Sequence, residues 1–179
     1  HYLETAQTLT EEVFNQFYNH KNKMFAYKSH YDTPLVNETF EIYDNVISSS
    51  NSVMANNLFK LGKILNQEKY IEQAKQMLAN VEEKIHDYPT GFANWIQLYL
   101  NFAYPFKEIV IVGENALEFS KQIQQCYVPN AIFVASETES LEITQNRFIE
   151  NKTSIHICEN YTCQLPIYSV EEAYKILQN

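Results

Sequence analysis

The hydrophobic pattern of this chain changes period once, at Pro105, and that change limits the fold more than any other feature. Before it, apolar residues recur every three or four positions, the spacing of one helix face. After it come β-branched runs such as "EIVIVG" and "AIFVAS", the kind of segment that forms strands buried on both faces. With 179 residues the chain can hold one large domain or two small ones. The change of period predicts two, helical hairpins over 1–106 and a small α/β domain over 107–179.

Four helical segments are predicted in the first part. Leu3, Ala6, Leu9, Val13 and Phe17 give the first its apolar face. The second runs from about Asn51 to Leu65, with Met54, Leu58, Leu61 and Leu65 along its stripe. The third carries Tyr70, Ala74, Met77, Val81 and Ile85, and Pro89 closes it. Only Asn66 and Gln67 separate the second from the third, so these two form an antiparallel hairpin. The fourth, Phe92 to Ala103, is apolar on most sides and is expected to be deeply buried.

Residues 19–47 form a long loop, of the length that usually serves function or moves. Within it, "MFAYKS" and "TFEIYDNVI" suggest a small β-ribbon. In the second part, strand and helix alternate three times, as βαβαβα. The strands are "EIVIVG", "AIFVAS" and "SIHICE". The helices lie around Ala116 to Cys126, around Leu141 to Phe148 and over "SVEEAYKILQN". This alternation predicts a three-stranded parallel sheet. Ser169 and Glu172 form a capping box for the last helix.

Charge and composition exclude several functions. The formal net charge is -9, and Lys and Arg form no cluster, so a nucleic-acid partner is not expected. Three glycines are too few for a phosphate-cradling loop. No apolar run approaches the ~20 residues that span a bilayer. No signal peptide is evident, and a start at His1 rather than Met suggests a trimmed chain or a piece of a longer one. Cys126, Cys158 and Cys163 are an odd number, which fits reduced thiols in the cytoplasm better than a disulfide framework. Asn-x-Ser/Thr matches at Asn37, Asn151 and Asn160 read as chance in a chain rich in Asn.

The candidate chemistry gathers in "EIYDNVISSSNSV", residues 41–53. Glu41 and Asp44 could divide general-acid and general-base roles. Equally, Asp44 could order a turn by bonding backbone amides while Glu41 is solvated. Ser49, Asn51 and Ser52 are more caps than one helix needs. The surplus could bind a polar ligand at a helix start or tie down the preceding loop. Tyr43, between the carboxylates, is the aromatic best placed to stack on a ligand. Tyr27 and Tyr31 are further aromatics, and Trp95 and Tyr99 sit at helical spacing and read as packing. His20, His30 and His86 lack partner motifs.

His156 and Cys158 share a strand face, with Cys163 five residues on. Zinc wants four ligands in a structural site, and no second cluster is near, so no metal is assigned. Buried, inert thiols are expected, with a disulfide between Cys158 and Cys163 as the alternative.

"EIYDNVISSSNSVMANNLFKLGKI", "YPTGFANWIQLYLNF", "EIVIVG" and "ICENYTCQLPI" together resemble thioredoxin-domain-containing proteins of the spermatogenesis-associated protein 20 type, in order along nearly the whole chain. That family carries a pattern like E-x-Y-D-x-A-x-P-S-G-N-S-x-x-A and a later C-x-N-x-x-C-Q-x-P. Ser48 stands here where the pattern has Pro, and Ser50 where it has Gly. The resemblance implies a thioredoxin-like domain, absent from this sequence, followed by an α/α toroid of hairpins and a small α/β tail. This chain would hold part of the toroid and the tail.

The same resemblance places residues 41–53 at an inner-helix mouth. It implies a sugar-like or other polar ligand lined by Tyr43, Ser49, Asn51 and Ser52, with Asp44 or Glu41 moving a proton if there is catalysis. No cofactor is implied. The rival reading is a non-catalytic scaffold that positions the thioredoxin-like domain. An autonomous thiol oxidoreductase is the weakest reading, because no sequence neighbour marks either cysteine as acidic. Hairpins taken from a closed ring would expose apolar faces, so self-association is expected.

Overall fold

The computed structural model describes residues 1–33 and 38–178. Asn37 and the centre of the 19–47 loop lie outside them. The chain divides into two compact units, one of residues 1–62 and 67–99, the other of residues 63–66 and 100–179.

The first unit opens with α1 (Tyr2–Phe17), followed by a two-residue hairpin of β1 (Tyr18–Asn19) and β2 (Met24–Phe25). The expected ribbon is therefore shifted. Tyr18 pairs with Phe25 and Asn19 with Met24, while 40–44 belongs to no strand. α2 (Ser50–Leu65) and α3 (Glu68–Ala79) form the predicted hairpin. Asn66 takes φ 52°, and the Gln67 N–H bonds the Gly62 carbonyl at 2.9 Å, which ends one helix and starts the next. The third predicted helix breaks after Ala79. Asn80 donates its side-chain amide to the Asn22 carbonyl, and a separate short helix, α4 (Glu82–Asp87), follows. A 3-10 turn (Pro89–Phe92) leads into α5 (Ala93–Ala103). Leu58, Phe59, Met77, Phe92, Trp95 and Leu98 are essentially inaccessible and form the unit's interior.

The second unit departs from the predicted three-stranded parallel sheet. Its sheet has four strands in the order β4 (Ala131–Ser136), β3 (Lys107–Val112), β5 (Ser154–Glu159), β6 (Thr162–Cys163). Only β3 and β4, joined through α6 (Ala116–Ile123), are parallel, and β5 and β6 run antiparallel to their neighbours. The expected helix at Leu141–Phe148 is what fails. It is reduced to a 3-10 turn (Glu142–Thr144), because the backbone turns extended at Gln145 (ψ 143°) and left-handed at Asn146 (φ 59°) and so leaves the helix after one turn. Without a crossover helix the chain returns on the other side of β3, in the opposite direction.

One sheet face carries Ile109, Ile111, Ile155 and Ile157 beneath α6 and α7 (Val170–Leu177), where the predicted Ser169 cap accepts the Glu172 N–H at 3.2 Å. The other face carries Val110, Val112 and Val134 against Ile143, Leu141 and Ile64. Among the described residues no helix is long and apolar enough to cross a membrane.

Candidate functional site

In the first unit, Asp44 sits at the centre of a buried polar cluster and is 5% exposed. One carboxylate oxygen accepts the Ser49 N–H at 2.9 Å and the Ser52 hydroxyl at 2.6 Å. The other accepts the Asn94 N–H at 2.9 Å and, more weakly, the Trp95 N–H at 3.4 Å. Those last two amides belong to the first turn of α5, which has no intrahelical partner for them. Asp44 thus caps α5 and holds the start of α2. Its negative charge lies where helix dipoles favour it. The Asp44 N–H is itself bonded to the Gly91 carbonyl at 2.7 Å.

Ser49, Asn51 and Ser52 are fully buried. Ser49 caps α2 through its hydroxyl, which accepts the Ser52 N–H at 3.2 Å. The Ser52 hydroxyl also accepts from the Asn94 amide at 3.0 Å. Asn51 turns away from the cluster to the β1–β2 hairpin. Its oxygen accepts the Phe25 N–H, while its amide donates to the carbonyls of Phe25 and Glu41. The surplus of capping residues in the sequence is thereby accounted for: one caps, one braces the carboxylate, and one ties the long segment to the helix.

Glu41 and Tyr43 stay at the surface. The Glu41 carboxylate accepts the Ser50 N–H at 3.0 Å, and Tyr43, 47% exposed, packs its ring against Phe92. Trp95 and Asn94 complete the cluster, the indole N–H donating to the Ile42 carbonyl at 2.8 Å. Asn94 carries no sequence signal beyond its place at a helix start.

Two clefts open in the same unit, of about 530 Å³ beside Glu11, Lys69 and Gln73 and about 470 Å³ beside Asn19, His20 and His30. Neither is lined by any of the six predicted site residues.

The second unit contains a different polar group, on the sheet face that holds Val110. Glu108, fully buried, pairs with Lys63 at 2.9 Å. Its other oxygen accepts the Tyr161 N–H at 3.0 Å, and the Lys63 ammonium lies over the Tyr161 ring. These contacts hold the tip of the β5–β6 hairpin. Asn160 and Tyr161 both adopt positive φ there, as a two-residue hairpin turn requires. The turn sets Cys163 directly opposite Cys158, and the two are joined in a disulfide. The expectation of inert thiols is corrected accordingly, and with it the argument for a cytoplasmic setting from unpaired cysteines. Cys126 remains a free thiol.

Arg147 lies against this disulfide, one guanidinium nitrogen 3.1 Å from the Cys163 sulfur. Its other terminal nitrogen is buried without a hydrogen-bond partner, and among the described residues no carboxylate is within ion-pair distance of it. Burial lowers the Arg147 pKa, with Glu108 opposing. His156 bonds the Ser154 hydroxyl at 3.0 Å, and its pKa is lowered by burial and by the Arg147 charge. A buried acid opening the strand "EIVIVG" was the sequence signal for a partner such as Lys63. Nothing in sequence marked Arg147. Among the described residues no three His, Cys, Asp or Glu side chains form a metal-binding group.

Helical hairpins with an internal capping carboxylate, joined to a mixed α/β unit closed by a cross-strand disulfide, define the class. No family model matches the chain. The chain is similar to spermatogenesis-associated protein 20. It is 24% identical to that protein from Rattus norvegicus, an alignment covering 98% of this chain and 24% of the rat protein. It is 23% identical to the Homo sapiens protein, over 75% of this chain and 19% of the human one. An uncharacterised protein of Caenorhabditis elegans is 21% identical over 96% of this chain and 24% of its own length. The chain thus spans about a quarter or less of the curated relatives it matches.

Proposed function

We propose that this chain is a non-catalytic interaction module of a longer protein, whose helical unit docks a second copy through α1. The observation that carries the reading is the saturation of the Asp44 cluster. Both carboxylate oxygens already take two donors each, and every hydroxyl and amide around them bonds another group of the same cluster or the backbone. A group so engaged stabilises two helix starts and has nothing left to offer a substrate. The apolar side of α1 supports the interaction role. No apolar residue of that helix is fully buried, and Leu9 of its stripe is 56% exposed.

The test joins hydrodynamics to ligand screening. Sedimentation of the chain at increasing concentration should show reversible dimers, lost in Leu9→Glu. Asp44→Asn should melt well below wild type, since a hydrogen bond to a charged group is worth about 1.5–3 kcal/mol and four are disturbed. Neither protein should bind sugars or sugar acids. A strict monomer would overturn the docking, and sugar binding lost in Asp44→Asn at an unchanged melting temperature would overturn the reading as a whole.

The second reading, a carbohydrate-like ligand at residues 41–52 with Asp44 or Glu41 moving a proton, draws its support from Glu41 and Tyr43. An exposed carboxylate and an exposed ring there flank the start of α2. The same screen decides it.

A further inference from the structure

We propose that Cys158 and Cys163 form a thiol–disulfide exchange site for a low-molecular-weight thiol, in which Cys163 is the exchanging sulfur and Arg147 holds its thiolate. Four observations in the second unit carry this. Cys158 is fully buried, whereas Cys163 is half-buried on the edge strand β6, so an incoming thiol reaches Cys163 alone. The Arg147 guanidinium touches that same sulfur at 3.1 Å. Its second terminal nitrogen is buried and unbonded, and among the described residues no carboxylate is within ion-pair distance of it, Glu108 acting on its charge from farther off. Glu108, the acid across the strand from Cys158, is already neutralised by Lys63 at 2.9 Å.

A partly desolvated cation with no carboxylate in direct contact is costly, and an anion appearing beside it is correspondingly favoured. Reduction supplies that anion. The groups facing the sulfur pair are thus Arg147 from the segment before β5, Glu108 on β3 with Lys63, and His156 on β5.

In the reducing direction a small thiolate attacks the Cys163 sulfur, the bond to Cys158 breaks, and Cys158 leaves and takes up a proton. A second small thiolate then attacks the small-molecule sulfur of the mixed disulfide, and Cys163 leaves as a thiolate beside Arg147. Two small thiols are oxidised to one disulfide, the protein disulfide gains two electrons, and the second proton passes to solvent. Run backwards, the Cys163 thiolate attacks a small disulfide and Cys158 resolves the adduct. Attack through the thiolate makes a lowered thiol pKa the quantity to measure.

The experiment uses the 179-residue chain, glutathione in both redox states as the probe, and alkylation mapped to each cysteine. After reduction, the pH midpoint for Cys163 alkylation should lie at least about one unit below the ordinary free-thiol value of about 8.5. Arg147→Gln should raise it, slowing alkylation at neutral pH about tenfold. In Cys158→Ser, oxidised glutathione should leave a stable adduct on Cys163, while wild type should pass on to its internal disulfide. A wild-type midpoint at or above the ordinary value, or one unmoved by Arg147→Gln, overturns the proposal. So does an adduct that forms equally fast on Cys158 in Cys163→Ser. Should Arg147→Gln fail to fold, the wild-type midpoint and the Cys158→Ser adduct decide by themselves.

Discussion

Asn51 does for Phe25 what a neighbouring strand would do. Its side chain accepts the Phe25 N–H at 2.8 Å and donates to the Phe25 carbonyl at 2.8 Å and the Glu41 carbonyl at 3.0 Å. Asn51→Ala would leave a buried donor and two carbonyls without partners, at about 1–3 kcal/mol for an unsatisfied group. The urea midpoint should therefore fall by an amount corresponding to about 3 kcal/mol, with the slope unchanged. A change below about 0.5 kcal/mol would mean that water replaces the amide freely.

That residues 41–52 act together was legible in the sequence, since three capping side chains, Ser49, Asn51 and Ser52, at one helix start demand an explanation. Their partners were not legible. Asn94 lies 42 positions beyond Ser52 and Phe25 lies 26 before Asn51, and no local pattern points that far.

At the scale of elements, the end of β3 fixes how the second unit closes. Gly113 has φ 133°, and a Cβ there would stand 2.6 Å from the Lys152 carbonyl oxygen and 2.7 Å from the Thr153 Cα. Both obstacles are backbone, so they cannot swing aside. Gly113→Ala should cost more than about 2 kcal/mol, through backbone strain and displacement of the segment before β5. Thermal unfolding followed in the presence and absence of a reductant would measure it, and a variant as stable as wild type would show that this close approach relaxes.

Helix identity and the α2–α3 hairpin were readable because period and a two-residue link are local properties. The direction of β5 was not. "SIHICE" has the same composition in a parallel or an antiparallel pairing, and the choice rested on whether the segment after β4 formed a helix. The extended Gln145 and left-handed Asn146 ended it after one turn, and Leu141 and Ile143, two apart rather than three or four, were the local sign.

Across the molecule, stability should depend on acid through His156. Burial, then the Arg147 charge, holds its pKa below the ordinary value, against a weaker opposing bond to the Arg147 backbone. The unfolded chain therefore takes up a proton first as pH falls below about 6.5. The contribution is fully present above that value and is lost as pH drops toward the folded-state pKa. His156→Gln should flatten the decline in stability between about pH 7 and 5, measured by denaturant unfolding. Identical acid limbs in the two proteins would locate the pH dependence elsewhere.

What the amino-acid order determined unaided was the helical period of α1, α2, α3 and α5, the cap that starts α7, and the apolar faces that must be covered. These follow from contacts within a turn or two of chain, which composition and spacing encode directly. Only the tertiary structure decided that Asp44 serves two helices at once, that Cys163 meets Cys158 across a hairpin, and that Arg147 touches a sulfur while no carboxylate among the described residues is within ion-pair distance. Each of those depends on segments far apart in sequence meeting in space, and the cost of closing such loops is met by the whole core rather than by any local motif.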